Sequence, residues 1–208
     1  MFLQFFSKFY LVMLCDQTFS QKIIPSLVMR MNSAEINFRK LRLDDLSLML
    51  RWLNSAFVSR WYGRGNYAYD DVLAKYGSRI TGESPTEPYL ICYGQTPVGY
   101  IQTYRIVDHP AYNALVQADE YTAGVDLFIG EARYANQGLG TAALRRFLKE
   151  VVFAKAGIKA CVLGPDPENK AAIRVYEKVG FSYVKIISQP DGSGDEYLMR
   201  IERTDLRR

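Results

Sequence analysis

The sequence predicts one mixed α/β (α+β) domain in which a mostly antiparallel sheet is flanked by helices. Three observations lead to this prediction. The chain has 208 residues, 49% of them hydrophobic, which suits a single domain with one ample core. Strand-like and helix-like patterns alternate from residue 36 onward. Residues 89–93 and 98–105 are short apolar runs separated by a Gly-Gln-Thr-Pro turn, which is typical of a hairpin.

In the first part of the domain, the sequence predicts one strand and two helices. Residues 36–41 form a strand, and one of the aspartates at 44–45 caps a helix that runs to about residue 54. An aromatic loop follows over residues 55–69. A second helix then begins at one of the aspartates at 70–71.

The second part predicts a central strand, two helices and a terminal strand pair. After the hairpin, a long loop from residue 107 to about 119 leads to the central strand near 121–129. A glycine-containing loop and a helix to about residue 155 come next. The remaining predicted elements are a strand at 159–163, a helix at 169–178, and antiparallel strands at 183–188 and 196–201 around a turn at 190–192.

The loop at residues 134–141 directly follows the predicted central strand and opens a helix. Gly138 and Gly140 let the backbone turn tightly and approach a ligand, and the free amides at a helix start attract an oxyanion. The pattern predicts a phosphate cradle for a nucleotide-type cofactor. A plain turn before a helix is the alternative.

A second motif lies thirty residues further on. Asn169, Ala172 and Tyr176 are spaced to share one helix face, and Gly180 ends that helix before Phe181. Together with the glycine loop, this motif resembles the GNAT acetyltransferase superfamily. The resemblance implies that the loop holds the pyrophosphate of acetyl-CoA and that the helix lines its thiol end.

The resemblance narrows to the aminoglycoside 6'-N-acetyltransferases and covers most of residues 36–200. It rests on residues 49–63, 97–104, 124–141 and 166–181. The chain departs from the superfamily at Ala135, where Arg or Gln is usual, although Gln137 and Arg133 are nearby. This departure concerns the side-chain contribution to phosphate binding and leaves the expected backbone contacts unchanged. The implied acetyl-CoA-binding residues are Leu127, Phe128, Ile129, Asn136, Gln137, Gly138, Leu139, Gly140, Thr141 and Asn169.

Residues 106–132 contain acids but no Lys or Arg. The acids are Asp108, Asp119, Glu120, Asp126 and Glu131. Such a window favours a polycationic acceptor, with a solvated acidic loop as the alternative. Asp126 fits that alternative poorly, because a carboxylate within an apolar strand needs a partner or an open cleft.

The resemblance implies that Asp126 and Tyr176 are catalytic. Asp126 would bind the acceptor amine and accept its proton, either as a base whose pKa burial has raised or as a group that orients the amine while water takes the proton. Tyr176 would protonate the departing thiolate, its alternative role being a core tyrosine. A strand amide near Leu127 or Phe128 is expected to stabilise the oxyanion.

Aromatic and acidic residues are expected on the acceptor side of the site. Trp61 and Tyr62 resemble the aromatic substrate loop of the same enzymes, although one of them can equally serve packing. Asp166 corresponds to an acidic position that contacts the aminoglycoside, or it is an ordinary turn aspartate. The predicted acceptor-binding residues are Trp61, Tyr62, Asp108, Glu120, Asp126 and Asp166.

Composition argues against several other kinds of chemistry. The three cysteines are scattered and His109 is the one histidine, so neither a metal site nor a disulfide framework is predicted, and Cys92 and Cys161 are expected in the core. No cysteine or serine is placed to carry an acyl group, which favours direct transfer in a ternary complex. The net charge of +4 without a basic run gives no support to nucleic-acid binding.

Residues 1–30 are expected to be an extension of uncertain order, and residues 31–208 a single acetyltransferase domain. The apolar start lacks a preceding basic region and a cleavage signal and is too short to span a bilayer, so a cytoplasmic protein without a membrane partner is expected. The predicted function is acetyl-CoA-dependent acetylation of the aminoglycoside 6'-amine, which confers resistance. The alternatives are an acetyltransferase acting on a polyamine or protein amine, and a silent acetyl-CoA-binding domain.

Overall fold

The computed structural model describes residues 32–63, 65–188 and 194–206. The predicted extension at residues 1–30 and the predicted turn at residues 190–192 lie outside these ranges.

A seven-stranded sheet forms the centre of the fold, and its strand order is β1-β2-β3-β4-β5-β7-β6. Every neighbouring pair in this sheet is antiparallel except β4 and β5, which run parallel. The predicted mixed, mostly antiparallel sheet is therefore confirmed. The strands are β1 (Ile36–Lys40), β2 (Glu87–Tyr93), β3 (Thr96–Arg105), β4 (Thr122–Ile129), β5 (Ala160–Leu163), β6 (Ser182–Ser188) and β7 (Asp195–Glu202).

Helices cover both faces of the sheet. They are α1 (Leu46–Leu53), α2 (Ala56–Ser59), α3 (Tyr69–Thr81), α4 (Pro110–Val116), α5 (Leu139–Phe147) and α6 (Lys170–Val179). The helix that starts at Leu139 was predicted to run to about residue 155, but its α-helical part ends at Phe147. It continues as a π-helical turn, Leu148–Val152.

The predicted long loop at residues 107–119 is wrong, because α4 lies within it. Pro110 occupies the first turn of α4, where its fixed φ suits a helix and its missing N–H costs nothing. Gln117 ends the helix in a left-handed conformation with φ of 61°. The short run of Ala, Tyr, Asn, Ala and Leu after Pro110 is too brief to give a clear helical period.

Side chains alternate between the two faces of the sheet along each strand, so the hydrophobic core has a part on each face. On one face, α5 and α6 pack on Ile101, Val125 and Leu163. On the other face, α1 and α3 pack on Tyr100 and Phe128. Because successive side chains of a strand point to opposite faces, Asp126 belongs to the α1 and α3 face while Val125 belongs to the α5 and α6 face.

Cys92 and Cys161 are buried free thiols, which confirms their predicted place in the core.

The strands β4 and β5 separate partway along their length. Their pairing joins Thr122 to Ala160 and ends with Gly124 and Val162, although β4 continues to Ile129. On its other side, β4 stays paired with β3 through Ile129. The second half of β4 thus presents a free edge towards the carboxyl end of β5, and this opening forms the candidate site.

Candidate active site

The glycine loop at the start of α5 is shaped to hold an anion. Asn136 and Gly138 have φ values of 58° and 83°, which turn the chain sharply into the helix. In the described part of the chain, no side chain caps the start of α5, so its first amides are available to a ligand.

The space beside these glycines is open. A Cβ atom added to Gly138 would meet no atom within 4 Å, and one added to Gly140 would meet only Val175 Cγ1, at 3.9 Å. The fold itself therefore does not require a glycine at Gly140. The open space leaves the loop backbone accessible to a ligand.

A cavity of about 340 Å³ extends from this loop along the free edge of β4. It passes between β4 and the segment that follows β5, including Gly164 and Pro165. Most of the residues predicted to form the site line it: Trp61, Tyr62, Asp126, Leu127, Phe128, Ile129, Asn136, Gly138, Gly140, Thr141, Asp166, Asn169 and Tyr176.

Two predicted loop residues do not line this cavity with their side chains. Gln137 is exposed and donates a hydrogen bond to the carbonyl of Arg133, which braces the loop. Leu139 is 1% exposed and packs in the core below α5. A contact from either residue to acetyl-CoA would have to come through its backbone.

Asp126 is half-buried and hydrogen-bonded on the inner side of the cavity. Its Oδ2 accepts a hydrogen bond of 2.6 Å from Gln102 Nε2. Burial raises the pKa of Asp126 above its ordinary value, while the hydrogen bond from Gln102 and the positive charge of Arg79 partly oppose that rise. Such an environment moves a carboxylate towards the basicity that a proton acceptor needs.

Three polar residues around Asp126 were not predicted from the sequence. Gln102 lies directly opposite Asp126 in the register of β3 and β4. Arg79 in α3 donates to Gln102 Oε1 at 2.6 Å, and the nearby charge of Lys75 also lowers the pKa of Asp126. The signal available in the sequence was a lone Gln within an apolar strand, and the helical spacing of Lys75 and Arg79.

Lys75 lies among aromatic rings near the acceptor side. Its Nζ is 5.5 Å from the ring centroid of Tyr62, 5.8 Å from that of Tyr67 and 5.6 Å from that of Tyr76. These are cation–π distances. Burial lowers the pKa of Lys75, which the nearby Tyr67 partly opposes.

Tyr176 enters the cavity from the opposite face of the sheet to Asp126. It is 9% exposed, and burial raises its pKa above the ordinary value, so the phenol stays protonated at neutral pH. Asn169 caps α6, its Oδ1 accepting from the amide of Ala172 at 3.1 Å. This cap fixes the start of the helix that carries Tyr176.

The aromatic residues of the predicted acceptor loop differ in their surroundings. Trp61 is 39% exposed, with the Arg60 guanidinium 4.8 Å from its ring centroid. Tyr62 packs on Phe128 with ring centroids 4.8 Å apart. Tyr62 thus combines packing with lining the cavity, whereas Trp61 lines the cavity and is more exposed.

Asp166 forms a turn and lies at the rim of the cavity. Its Oδ1 accepts from the amide of Glu168 at 2.7 Å, as in an ordinary aspartate turn. The residue is also exposed at the rim of the cavity.

The other acids of residues 106–132 are dispersed. Asp108 precedes α4 and Glu120 follows it, and both line a second cavity of about 420 Å³ with Arg105 and Lys155. The structure does not bring these two predicted acceptor-binding residues into the first cavity. Glu131 accepts from Trp52 Nε1 at 2.9 Å and is salt-bridged to a neighbouring arginine.

Asp119 supports the turn into β4, where its Oδ1 accepts from Thr122 Oγ1 at 2.6 Å. Asp126 is thus the one acid of this window in the first cavity.

Two further findings concern the described ranges of the chain. No group of three or more His, Cys, Asp or Glu side chains lies close enough there to hold a metal ion. No helix in those ranges is long and apolar enough to cross a membrane.

Comparison with known proteins identifies relatives of this chain. Aminoglycoside N(6')-acetyltransferase type 1 from Klebsiella pneumoniae is 28% identical over 169 residues, which cover 80% of this chain and 83% of that protein. The crystal structure of aminoglycoside acetyltransferase AAC(6')-Ib with coenzyme A matches with a TM-score of 0.73 at 27% identity. That match covers 82% of this chain and 96% of the other.

The structure of AAC(6')-Ib with coenzyme A and kanamycin matches with a TM-score of 0.72, at the same identity and coverage.

The family model for the acetyltransferase (GNAT) domain matches residues 42–189. This range includes the glycine loop, the separating strands β4 and β5, and α6. It confirms the resemblance inferred from the two sequence motifs. Since the match covers well over half of the sequence, the chain belongs to the acetyltransferase (GNAT) domain family.

Proposed function

We propose that this protein transfers the acetyl group of acetyl-CoA to the 6'-amino group of aminoglycoside antibiotics. The main support for this proposal is that one cavity joins the glycine loop, the free edge of β4 and Asp126. The relatives named as aminoglycoside 6'-acetyltransferases support this acceptor over a polyamine or a protein amine.

The glycine loop and α6 would hold the acetyl donor. The amides that begin α5 bind the pyrophosphate, and the space beside Gly138 and Gly140 admits it. The free edge of β4 offers backbone groups to the extended part of the donor, as an additional strand would. The donor's thioester then lies between Asp126 and Tyr176.

Asp126 prepares the acceptor for attack. An ammonium has no lone pair, so it must lose a proton before its nitrogen can form a bond to the carbonyl carbon. Asp126 binds this ammonium and accepts the proton directly or through water. Its raised pKa makes it a better acceptor than an exposed aspartate.

Tyr176 and the β4 backbone assist the rest of the reaction. As the new C–N bond forms, an amide of Leu127 or Phe128 stabilises the negative charge on the carbonyl oxygen. The C–S bond then breaks, and Tyr176 gives its phenol proton to the thiolate. Direct transfer within a ternary complex needs no acyl group on the protein.

Acetylation removes a positive charge and a hydrogen-bond donor from the antibiotic. Because the charge of an aminoglycoside contributes to its binding to ribosomal RNA, the product binds the ribosome less tightly. The proposed role is therefore antibiotic resistance, exercised in the cytoplasm where acetyl-CoA and ribosomes are found.

Expression of this chain in an aminoglycoside-sensitive bacterium tests the proposal. The wild-type chain should raise the inhibitory concentration of kanamycin, and the matched Asp126→Asn variant, expressed to the same level, should not. Equal susceptibility of cells with the wild type and with an empty vector would count against aminoglycosides as the substrate.

A further inference from the structure

A hydrogen-bonded chain runs from α3 across the sheet to Asp126. Arg79 Nη1 donates to Gln102 Oε1 at 2.6 Å, and Gln102 Nε2 donates to Asp126 Oδ2 at 2.6 Å. The buried Tyr100 hydroxyl also donates to Gln102 Oε1, again at 2.6 Å. Gln102 is 6% exposed, so water competes little with these bonds.

The donors around Gln102 fix which way its amide points. A guanidinium carries only donors, so the amide atom that faces Arg79 must be the oxygen. The NH₂ group must then face Asp126. An amide NH₂ can donate to an ionised carboxylate oxygen, but it conflicts with a proton placed on that oxygen.

The backbone sets these residues in place. Gln102 and Asp126 are cross-strand partners in β3 and β4, which brings their side chains together on the face covered by α3. Arg79 projects from the last turn of α3, and its guanidinium packs 5.2 Å from the ring centroid of Tyr76. The three side chains therefore come from two rigid strands and a packed helix.

We propose that Arg79 and Gln102 are positioning residues that hold Asp126 as an ionised carboxylate, ready to bind the amine of the acceptor. The proposal rests on the proposed function for the identity of that acceptor. Without the hydrogen bonds from Arg79 to Gln102 and from Gln102 to Asp126, Asp126 would keep its proton to higher pH. The enzyme would then lose activity mainly at acidic pH.

The other groups that face Asp126 do not obscure this effect. A hydrogen bond from Tyr104 and the positive charge of Lys75 in α3 also lower the pKa of Asp126, and both remain in the variants described below. Burial raises the pKa of each neutral titratable neighbour, so these groups stay protonated near neutral pH: Tyr62, Tyr76, Tyr100, Tyr104, Tyr112, Tyr176 and Cys161. Ionisation of the acceptor amine is the same for every variant, so a shift of the acidic transition between wild type and variant would report Asp126.

The test combines two variants with two measurements. Gln102→Glu keeps an oxygen towards Arg79 but sets a carboxylate against Asp126, and Arg79→Met removes the charge and the donor. The first measurement is kcat/KM for the acceptor from about pH 5.5 to about pH 9. The second measurement is an NMR titration of the Asp126 carboxyl ¹³C signal, which is assigned by its absence in Asp126→Asn. This titration needs no acceptor.

Both variants should raise the midpoint of the Asp126 titration by about one pH unit or more. The acidic limb of kcat/KM should move with it, giving roughly a tenfold loss below the wild-type midpoint that is largely recovered above the midpoint of the variant. Arg79→Lys, which keeps the charge and is the milder change if Arg79→Met fails to fold, should show a smaller shift. Lys149→Met removes a charge from the exposed turn after α5 and should show none.

A titration midpoint of Asp126 that stays unchanged in Gln102→Glu and in a folded Arg79 variant would overturn the proposal. So would a uniform fall in kcat/KM at every pH, which would indicate a merely structural role. If the wild type acetylates no aminoglycoside, the ¹³C titration still decides the proposal, and only the proposed function fails.

Discussion

Gln102 and Asp126 lie directly opposite each other in β3 and β4, and Gln102 Nε2 donates to Asp126 Oδ2 at 2.6 Å. The carboxylate is thus held by the scaffold through Gln102 while it also lines the cavity. This arrangement resolves the conflict of an aspartate within a largely apolar strand, because Asp126 has both a partner and an open cleft.

Asp126→Asn should lower kcat by about 100-fold or more, since the amide cannot accept the proton of the acceptor. The fold should survive, because the Asn oxygen can still accept from Gln102. The dissociation constant of acetyl-CoA, measured by calorimetry, should stay close to the wild-type value. Wild-type turnover by this variant would remove Asp126 from the mechanism.

Tyr176→Phe should reduce kcat by a smaller factor, about tenfold, because water can protonate the departing thiolate in place of the phenol. Steady-state kinetics and direct binding of acetyl-CoA distinguish the possible roles. If binding weakens while kcat is preserved, Tyr176 serves to pack the donor and not to donate a proton.

Gly140→Ala should weaken acetyl-CoA binding by roughly tenfold, because a methyl group would enter the space assigned to the pyrophosphate. The nearest protein atom to the added Cβ lies 3.9 Å away, so thermal stability should be maintained. Gly77→Ala is the matched control, since it adds a methyl group to α3, at 3.6 Å from Leu73 Cδ1. Unchanged affinity in Gly140→Ala would contradict the phosphate cradle.

Ionisation of Glu87 should make the free energy of unfolding depend on pH in the acidic range. Burial opposes its ionisation, but hydrogen bonds from Lys155 and Lys40 outweigh burial and lower its pKa from 4.5 to about 2. A lowered carboxyl pKa stabilises the fold above the unfolded pKa, and this contribution is lost as the pH falls from 4.5 towards about 2.

The side chain of Glu87 is 37% exposed, so solvent screening limits the contribution to about 1 kcal/mol or less. Urea unfolding of wild type and Glu87→Gln should show a difference in free energy at neutral pH that shrinks near pH 3. A difference that stays constant with pH would show that ionisation of Glu87 is not its source.

The sequence predicted the parts of the site that local patterns encode. Gly138 and Gly140 mark a turn before a helix, Asn169 and Tyr176 repeat at helical spacing, and Asp126 interrupts an apolar strand. Each signal lies within a short window, where backbone preference and periodicity act.

The parts of the site that the sequence did not predict depend on contacts between segments that are distant in the chain. The pairing of Gln102 with Asp126 is set by strand register, and the contact with Arg79 by how α3 packs on the sheet. Asp108 and Glu120 were predicted to bind the acceptor together with Asp126, because all three lie in residues 106–132, which contain no Lys or Arg. The unpredicted helix α4 lies between those two residues in the chain, and they line a different cavity.

Thiol release from acetyl-CoA by the purified protein tests whether this chain acetylates the 6'-amine of aminoglycosides. Kanamycin is compared with its analogue that carries a hydroxyl in place of the 6'-amine. Spermidine and a peptide amine serve as the other acceptors. We expect turnover with kanamycin and none with the hydroxyl analogue, spermidine or the peptide amine. Turnover with the hydroxyl analogue equal to that with kanamycin, or turnover with spermidine or the peptide alone, would contradict it.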